Sequence, residues 1–199
     1  MSFIIVGYYT ADTLYEDKAK VFAASLDKYN VPYYLERIKS LGDWYKNTCY
    51  KPTFLRRMLE KFSDTNIVYV DCDAKFLAYP VLFDTLDCDV GVYVFDRSCY
   101  SKSVHGFEVL SGTIFLKNNV KVKRIVGKWA LECKNNPRVW DQKSLEKTLN
   151  GDYYTLPGEY CKIFDRMPEI TNPIIVHYQA SREVRANKGR LGKKQNRMR

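Results

Sequence analysis

The apolar run Ile67-Val68-Tyr69-Val70 stops at Asp71-Cys72-Asp73, and that junction limits what the chain can become. A β-branched and aromatic run of this kind reads as a buried strand. If strand alternation persists past Val70, Asp71 and Asp73 point to one side and Cys72 to the other. Two carboxylates on one side of a strand end repel each other unless a cation or a shared proton neutralises them. With only oxygen on offer from this pair, the suitable partner is a hard divalent ion, Mg²⁺ or Mn²⁺. Open α/β sheets bind ligands at the carboxyl ends of their strands. The alternative is a pair of solvated loop aspartates.

The flanking pattern supports an α/β chain with a mostly parallel central sheet. Phe3 to Tyr9 reads as a buried strand, and Thr13 with Glu16 as a capping box for a helix whose apolar face carries Ala19, Phe22, Ala23 and Leu26. Val31 to Ile38 returns as a strand, which makes a βαβ unit. Ser40 to Tyr50 reads as an irregular connection bearing Trp44. Pro52 opens a helix with Phe54, Leu55, Met58, Leu59 and Phe62 on its buried stripe. Beyond the acidic pair, Val90 to Phe95 and Val109 to Leu116 read as strands separated by the polar loop Asp96 to Gly106. Val122 to Cys133 reads as a helix ending before Pro137, and Trp140-Asp141-Gln142 opens a shorter helix closed by Asn150-Gly151. Tyr153 to Leu156 and Pro173 to His177 are the last expected strands.

At 199 residues the expectation is one domain over 1–199, with a core of ordinary size. The net charge is +9, but residues 181–199 hold eight Lys/Arg against Glu183, so +7 of it sits in a basic C-terminal segment. Such a segment suits an anionic partner (nucleic acid, anionic lipid or a phosphorylated substrate) or a solvated helix face. No apolar run approaches the ~20 residues of a membrane span, and Met1 to Tyr9 lacks a signal-peptide layout, so a cytoplasmic protein is expected. The six cysteines show neither a C-x-x-C pair nor zinc spacing and read as reduced thiols.

Four segments in order carry a resemblance. Thr10-Ala11-Asp12 ends the first strand, with Tyr15 three residues on. Lys51-Pro52-Thr53-Phe54 opens the helix before the central strand. Asp71-Cys72-Asp73 runs into Ala74-Lys75-Phe76 and Pro80. Ile175-Val176-His177-Tyr178-Gln179-Ala180-Ser181-Arg182 ends the last strand with a histidine and a nearby arginine. Over roughly residues 3 to 182 the chain resembles the nucleotide-diphospho-sugar transferases of the GT-A fold, a Rossmann-like three-layer α/β/α architecture. The likeness is greatest to the group of glycogenin and the bacterial lipooligosaccharide galactosyltransferases, and compact members of the fold are common in viral genomes.

The resemblance implies a metal-dependent glycosyltransferase moving a hexose from a nucleotide-diphosphate sugar, with uridine the commonest base, to an unidentified acceptor: a glycan, protein, lipid or modified DNA. It implies Asp71, Asp73 and His177 as ligands of Mn²⁺ (or Mg²⁺). Lys51 and Arg182 become diphosphate clamps, their forks and point charges suiting phosphate oxygens. Thr10, Asp12 and Tyr15 form the nucleoside edge, although Asp12 reads equally as a turn residue before the helix. Ser111 and Gly112 lie near the transferred sugar or mark a β-bulge. Asp141 and Gln142 face sugar and acceptor, although an aspartate at a helix start is commonly an N-cap. Asp141 is the first candidate for the catalytic carboxylate and Asp152 the second, and His105, in a polar loop, reads as a surface residue or an acceptor contact. Two other readings remain: a nucleotidyltransferase using paired carboxylates, and a nucleic-acid binder acting through the basic segment.

Overall fold

The computed structural model describes residues 3–99 and 103–182. The first strand, β1 (Phe3–Thr10), leads into α1 (Leu14–Asp27) and back through β2 (Tyr33–Ile38), which pairs parallel to β1 from Ile5↔Tyr33 to Thr10↔Ile38. The expected βαβ unit is therefore present. Two helices follow, α2 (Trp44–Cys49) and α3 (Lys51–Lys61), then β3 (Asn66–Val70), all five of whose residues are buried. The chain continues through β4 (Ala74–Phe76), the single turn α4 (Leu82–Thr85), β5 (Val90–Asp96) and β6 (Phe107–Leu116). It ends its described course with α5 (Val120–Asn135), α6 (Asp141–Leu149), β7 (Tyr154–Thr155), β8 (Lys162–Ile163) and β9 (Ile175–His177).

Six strands form the central sheet in the order β2-β1-β3-β6-β5-β7. Parallel pairing of β1 with β2 and β3, and of β5 with β7, leaves β6 as the strand that runs against the rest. One face carries α3, α5 and α6 through Phe54, Leu55, Val126, Trp129 and Leu145. The other carries α1 through Phe22 and Leu26, together with Phe76, Phe83 and Ile175. Covered on both sides, β1 and β3 read as continuous apolar runs rather than alternating ones. A second sheet, β4-β9-β8, stands beside the first.

Three local expectations are corrected. Ser40 to Tyr50 is not irregular: Asp43 accepts from the Lys46 N–H at 2.8 Å and caps α2, an ordinary N-cap ahead of an aromatic helix start. The capping box is displaced, because Asp12 sits at φ 56° and turns its own N–H to Glu16 Oε2 (2.9 Å), while Thr13 Oγ1 accepts from Tyr15. The acidic pair does not continue a strand. The Ala74 N–H donates to Asp71 O at 3.0 Å and closes a turn from β3 into β4, so Asp71-Cys72-Asp73 is the hinge between the two sheets.

Of the basic segment expected at 181–199, residues 183–199 lie outside the described residues. Among the described residues no helix is long and apolar enough to cross a membrane, and all six cysteines are unpaired thiols.

Gly7 fixes how closely β1 approaches β3. A Cβ there would stand 2.9 Å from Val70 O and 3.1 Å from Leu35 Cδ2, and backbone cannot yield as a side chain would. Gly7→Ala is expected to destabilise the protein by about 1–3 kcal/mol, read as a lower urea midpoint at unchanged slope; an equal or higher midpoint would contradict this packing.

Candidate active site at the junction of the two sheets

Asp71 and Asp73 bring one carboxylate oxygen each, and His177 one ring nitrogen, within 4.8 Å of one another. The turn between the sheets places the aspartates, and β9 places the histidine by pairing His177 with Ala74. Each of the three groups is held from behind. Tyr69 Oη donates to Asp71 Oδ1 at 2.8 Å, and the Ala180 N–H to Asp73 Oδ2 at 2.7 Å. His177 Nε2 lies 2.8 Å from Thr113 Oγ1, whose single proton is given to Tyr160 O at 3.1 Å. That commitment assigns the imidazole proton to Nε2 and leaves the Nδ1 lone pair open.

Burial pushes His177 down to about 4, outweighing the opposing pull of Asp71, so the ring is neutral at physiological pH. Burial, and next the Asp71 charge, pushes Asp73 up to about 6. Both shifts are led by burial, which disfavours charge on either group. A Cβ on Gly112 would meet His177 Nδ1 at 3.2 Å and Asp71 Oδ2 at 3.4 Å, so the glycine keeps open the space those two atoms share. Two carboxylates, an unprotonated nitrogen and a supporting hydrogen bond behind each form a donor set that fits a divalent cation of the Mn²⁺ or Mg²⁺ kind.

Behind this cluster lies Lys51, at the start of α3, with only 4% of its side chain exposed. Its ammonium is 2.8 Å from Asp141 Oδ2, 3.3 Å from Asp71 Oδ1, and 2.9 and 3.1 Å from the carbonyl and hydroxyl oxygens of Ser111. The Tyr69 ring lies 4.7 Å away. Burial alone would push the ammonium down; Asp141 and then Asp71 more than reverse this, and it stays charged. Four protein acceptors take its three protons, so the group expected to clamp a diphosphate is a buried counter-ion. Asp141 is the first residue of α6, and the N-cap is Trp140. Its carboxylate turns inward, taking the Ser111 hydroxyl proton at 2.8 Å, while its carbonyl accepts from Trp129 Nε1 at 2.9 Å.

β6 is bulged at this point. The register with β5 passes from Val92↔Ile114 to Tyr93↔Leu110, which leaves Ser111, Gly112 and Thr113 without partners on β5, while Thr113 still pairs with Val70 of β3. The bulge reading of Ser111-Gly112 is the one observed here, with Ser111 bonded to Lys51 and Thr113 to His177.

These groups open into a cavity of about 440 Å³, within the usual range for a small-molecule site. Thr10, Tyr15, Lys51, Asp71, Asp73, Ser111, Gly112, Asp141, Gln142, His177 and Arg182 all line it. Arg182 reaches it while its Nη1 pairs with Asp165 Oδ2 at 2.7 Å. Asp12 does not line it; its left-handed turn sends an 88% exposed carboxylate to Arg37 at 3.1 Å. Asp152 pairs with Lys121 on the surface, and His105 is exposed. The sequence reading missed Tyr69 and Thr113, which orient the ligands, and left Trp44 and Trp140, which also line the cavity, without a role. Period-two spacing from Asp71 pointed to Tyr69; nothing local pointed to Thr113.

A protein-family model described as nucleotide-diphospho-sugar transferase matches residues 26–186. Among solved structures the chain is similar to a glycosyltransferase involved in the glycosylation of the major capsid of PBCV-1. That match has 15% identity and a TM-score of 0.71, covering 94% of this chain and 98% of that one. It is also similar to the glycosyltransferase GlyE of Streptococcus pneumoniae TIGR4, at 15% identity and a TM-score of 0.62, covering 89% of this chain. The chain spans 55% of that pneumococcal structure. At such identities the likeness is one of fold. No curated protein matches the chain by sequence.

Two variants test the geometry. Thr113→Val removes the acceptor for His177 Nε2–H and is expected to weaken Mn²⁺ binding, measured calorimetrically with UDP present, by about 10–100-fold; unchanged affinity would free Thr113 of this role. Lys51→Met leaves buried carboxylate charge without its counter-ion and is expected to cost about 3–5 kcal/mol of stability in urea unfolding. A loss of UDP affinity alone, with the midpoint unmoved, would return Lys51 to the diphosphate.

Proposed function

The chain belongs to the nucleotide-diphospho-sugar transferases, and from that membership we propose a divalent-metal-dependent hexosyltransferase that takes its sugar from a UDP-sugar. The observation that carries the metal dependence is the convergence of Asp71, Asp73 and His177 within 4.8 Å in the lining of the cavity. The reaction exchanges one C1–O bond for another. The electron pair of the broken bond leaves on the diphosphate, and an acceptor hydroxyl oxygen bonds to C1 and gives up its proton to a diphosphate oxygen or to solvent.

Asp71, Asp73 and His177 would hold the cation. Bound there, it would act as a Lewis acid that stabilises negative charge on the departing diphosphate without proton transfer. Arg182 uses one nitrogen on Asp165 and keeps further N–H donors for phosphate oxygens. Thr10 and Tyr15 form the nucleoside edge; uridine itself comes from the resemblance. Lys51 acts below the substrates, holding Asp141 and Asp71 at fixed positions. The Asp141 carboxylate is pinned by Lys51 and Ser111, which suits electrostatic support of a positively charged sugar centre. Gln142, next along the helix, offers an amide donor and acceptor to sugar or acceptor hydroxyls.

Asp73→Asn keeps an oxygen for the Ala180 N–H but removes the charge. It is expected to lower Mn²⁺-dependent UDP-sugar hydrolysis by roughly 100-fold, the counterpart of several kcal/mol of charge stabilisation, with the thermal midpoint little changed. Turnover that persists in this variant, or in the wild type with EDTA, would remove the metal from the mechanism.

A further inference from the structure

Two of the chain's three tryptophans stand at the cavity with half-exposed rings. Trp44 opens α2 and Trp140 immediately precedes α6, yet their ring centroids are 6.3 Å apart. Both line the cavity, and they remain 45% and 37% exposed. The third, Trp129, is in the core at 1% exposure. Large apolar rings left in water forgo the stabilisation that burial gives them, and here two from separate elements do so side by side.

Their position separates them from the donor end. α2 packs on α3, α5 and α6, whereas Tyr15 belongs to α1, which packs on β4 across the central sheet. Tyr15 and His177, which pairs with β4, thus come from elements on the α1 side of the sheet, and the tryptophans from elements on the α6 side. Lys51 and Asp141 lie between, linked Asp71–Lys51–Asp141 at 3.3 and 2.8 Å. Asp141 and Gln142 directly follow Trp140. A sugar on a diphosphate held at the cluster would reach toward Asp141, and what lies beyond it is a different molecule.

We propose that Trp44 and Trp140 form the platform of an acceptor subsite for a pyranose ring, so that the acceptor is a saccharide. This rests on the donor reading given above. A pyranose has an apolar face of C–H bonds whose partial positive charge complements the negative face of an indole, and polar edges that require hydrogen bonds. The cavity lining includes both: two indoles, and the polar side chains Gln142, Asn47 and Thr48, of which Asn47 also bonds Leu41 and Ser40 and Thr48 bonds Tyr45. A single-stranded nucleic acid would also stack, but it needs a basic track beside the rings. The cations among the described lining residues are Lys51, buried and neutralised, and Arg182 on the second-sheet side.

The test is saturation-transfer NMR on the full chain with UDP and Mn²⁺. The probes are methyl pyranosides of hexoses, pentoses and 6-deoxyhexoses, and their disaccharides, at millimolar concentration. At least one saccharide is expected to bind with the strongest saturation on the C–H protons of one face. Trp44→Ala and Trp140→Ala should each weaken that binding roughly tenfold or more, with recovery in Trp44→Phe and Trp140→Phe. UDP affinity by calorimetry should stay within about twofold, since 1.4 kcal/mol is tenfold. The proposal is overturned if no saccharide binds the wild type, or if the alanine variants retain the saccharide signal. It is also overturned if they lose UDP affinity tenfold, which would put the nucleobase on the tryptophans. Saccharide binding that needs the tryptophans in a wild type that binds no UDP would leave the platform standing and remove the donor reading.

Discussion

The Lys51 ammonium, out of water beneath the sheet rim, faces Asp141 at 2.8 Å and Asp71 at 3.3 Å and bonds both Ser111 oxygens. Removing such a charge from solvent costs several kcal/mol, and only close, well-formed partners offset it. Lys51 therefore dictates where those partners are. Asp141 must open α6 with its carboxylate inward, Ser111 must leave the β6 ladder to present both oxygens, and Asp71 must stay at the end of β3. Three elements distant in sequence are locked into one arrangement by a group that need not touch a substrate.

That lock explains why the site reads as pre-formed. Tyr69, Thr113 and the Ala180 amide each bond a proposed ligand from behind, so the ligand atoms are aimed before anything binds. Orientation supplied in advance is what a site of fixed charges contributes to a transfer reaction. Gly112 completes it by adding no atoms where His177 Nδ1 and Asp71 Oδ2 face each other.

Much of this was legible in the sequence, for physical reasons that differ by element. β1 and β3 sit between helices on both faces, so burial writes a continuous apolar run into each. The helices α3 and α5 carry their core stripes openly, and Asn150, which closes α6 at φ 46°, announces itself by its turn chemistry. Of the second sheet only β9 was legible, because β4 and β8 are three and two residues long, too short for any period. The acidic pair was found through strand alternation, although a turn is what brings its carboxylates together. Asp12 was misplaced because its left-handed φ, invisible in the sequence, turns the side chain out. The bulge hid Thr113, since its partners lie 47 and 64 residues away.

The division of the proposed ligands between two sheets carries a thermodynamic consequence. Asp71 ends β3 of the central sheet, while His177 and the backbone partners of Asp73 belong to β9 and the residues after it. Any ion held by all three would bridge the sheets, and binding to the folded form alone is folding free energy. Without that bridge, Asp73 is raised first by burial and next by the charge of Asp71 across the hinge. The junction thus sets local stability against charge that a ligand can relieve. Arg182, four residues beyond Tyr178 and tied to Asp165 beside Phe164, is carried on that same second-sheet side. If the proposed cation and diphosphate bind here, order in the second sheet, cation binding and the reach of Arg182 become one coupled quantity rather than three independent ones.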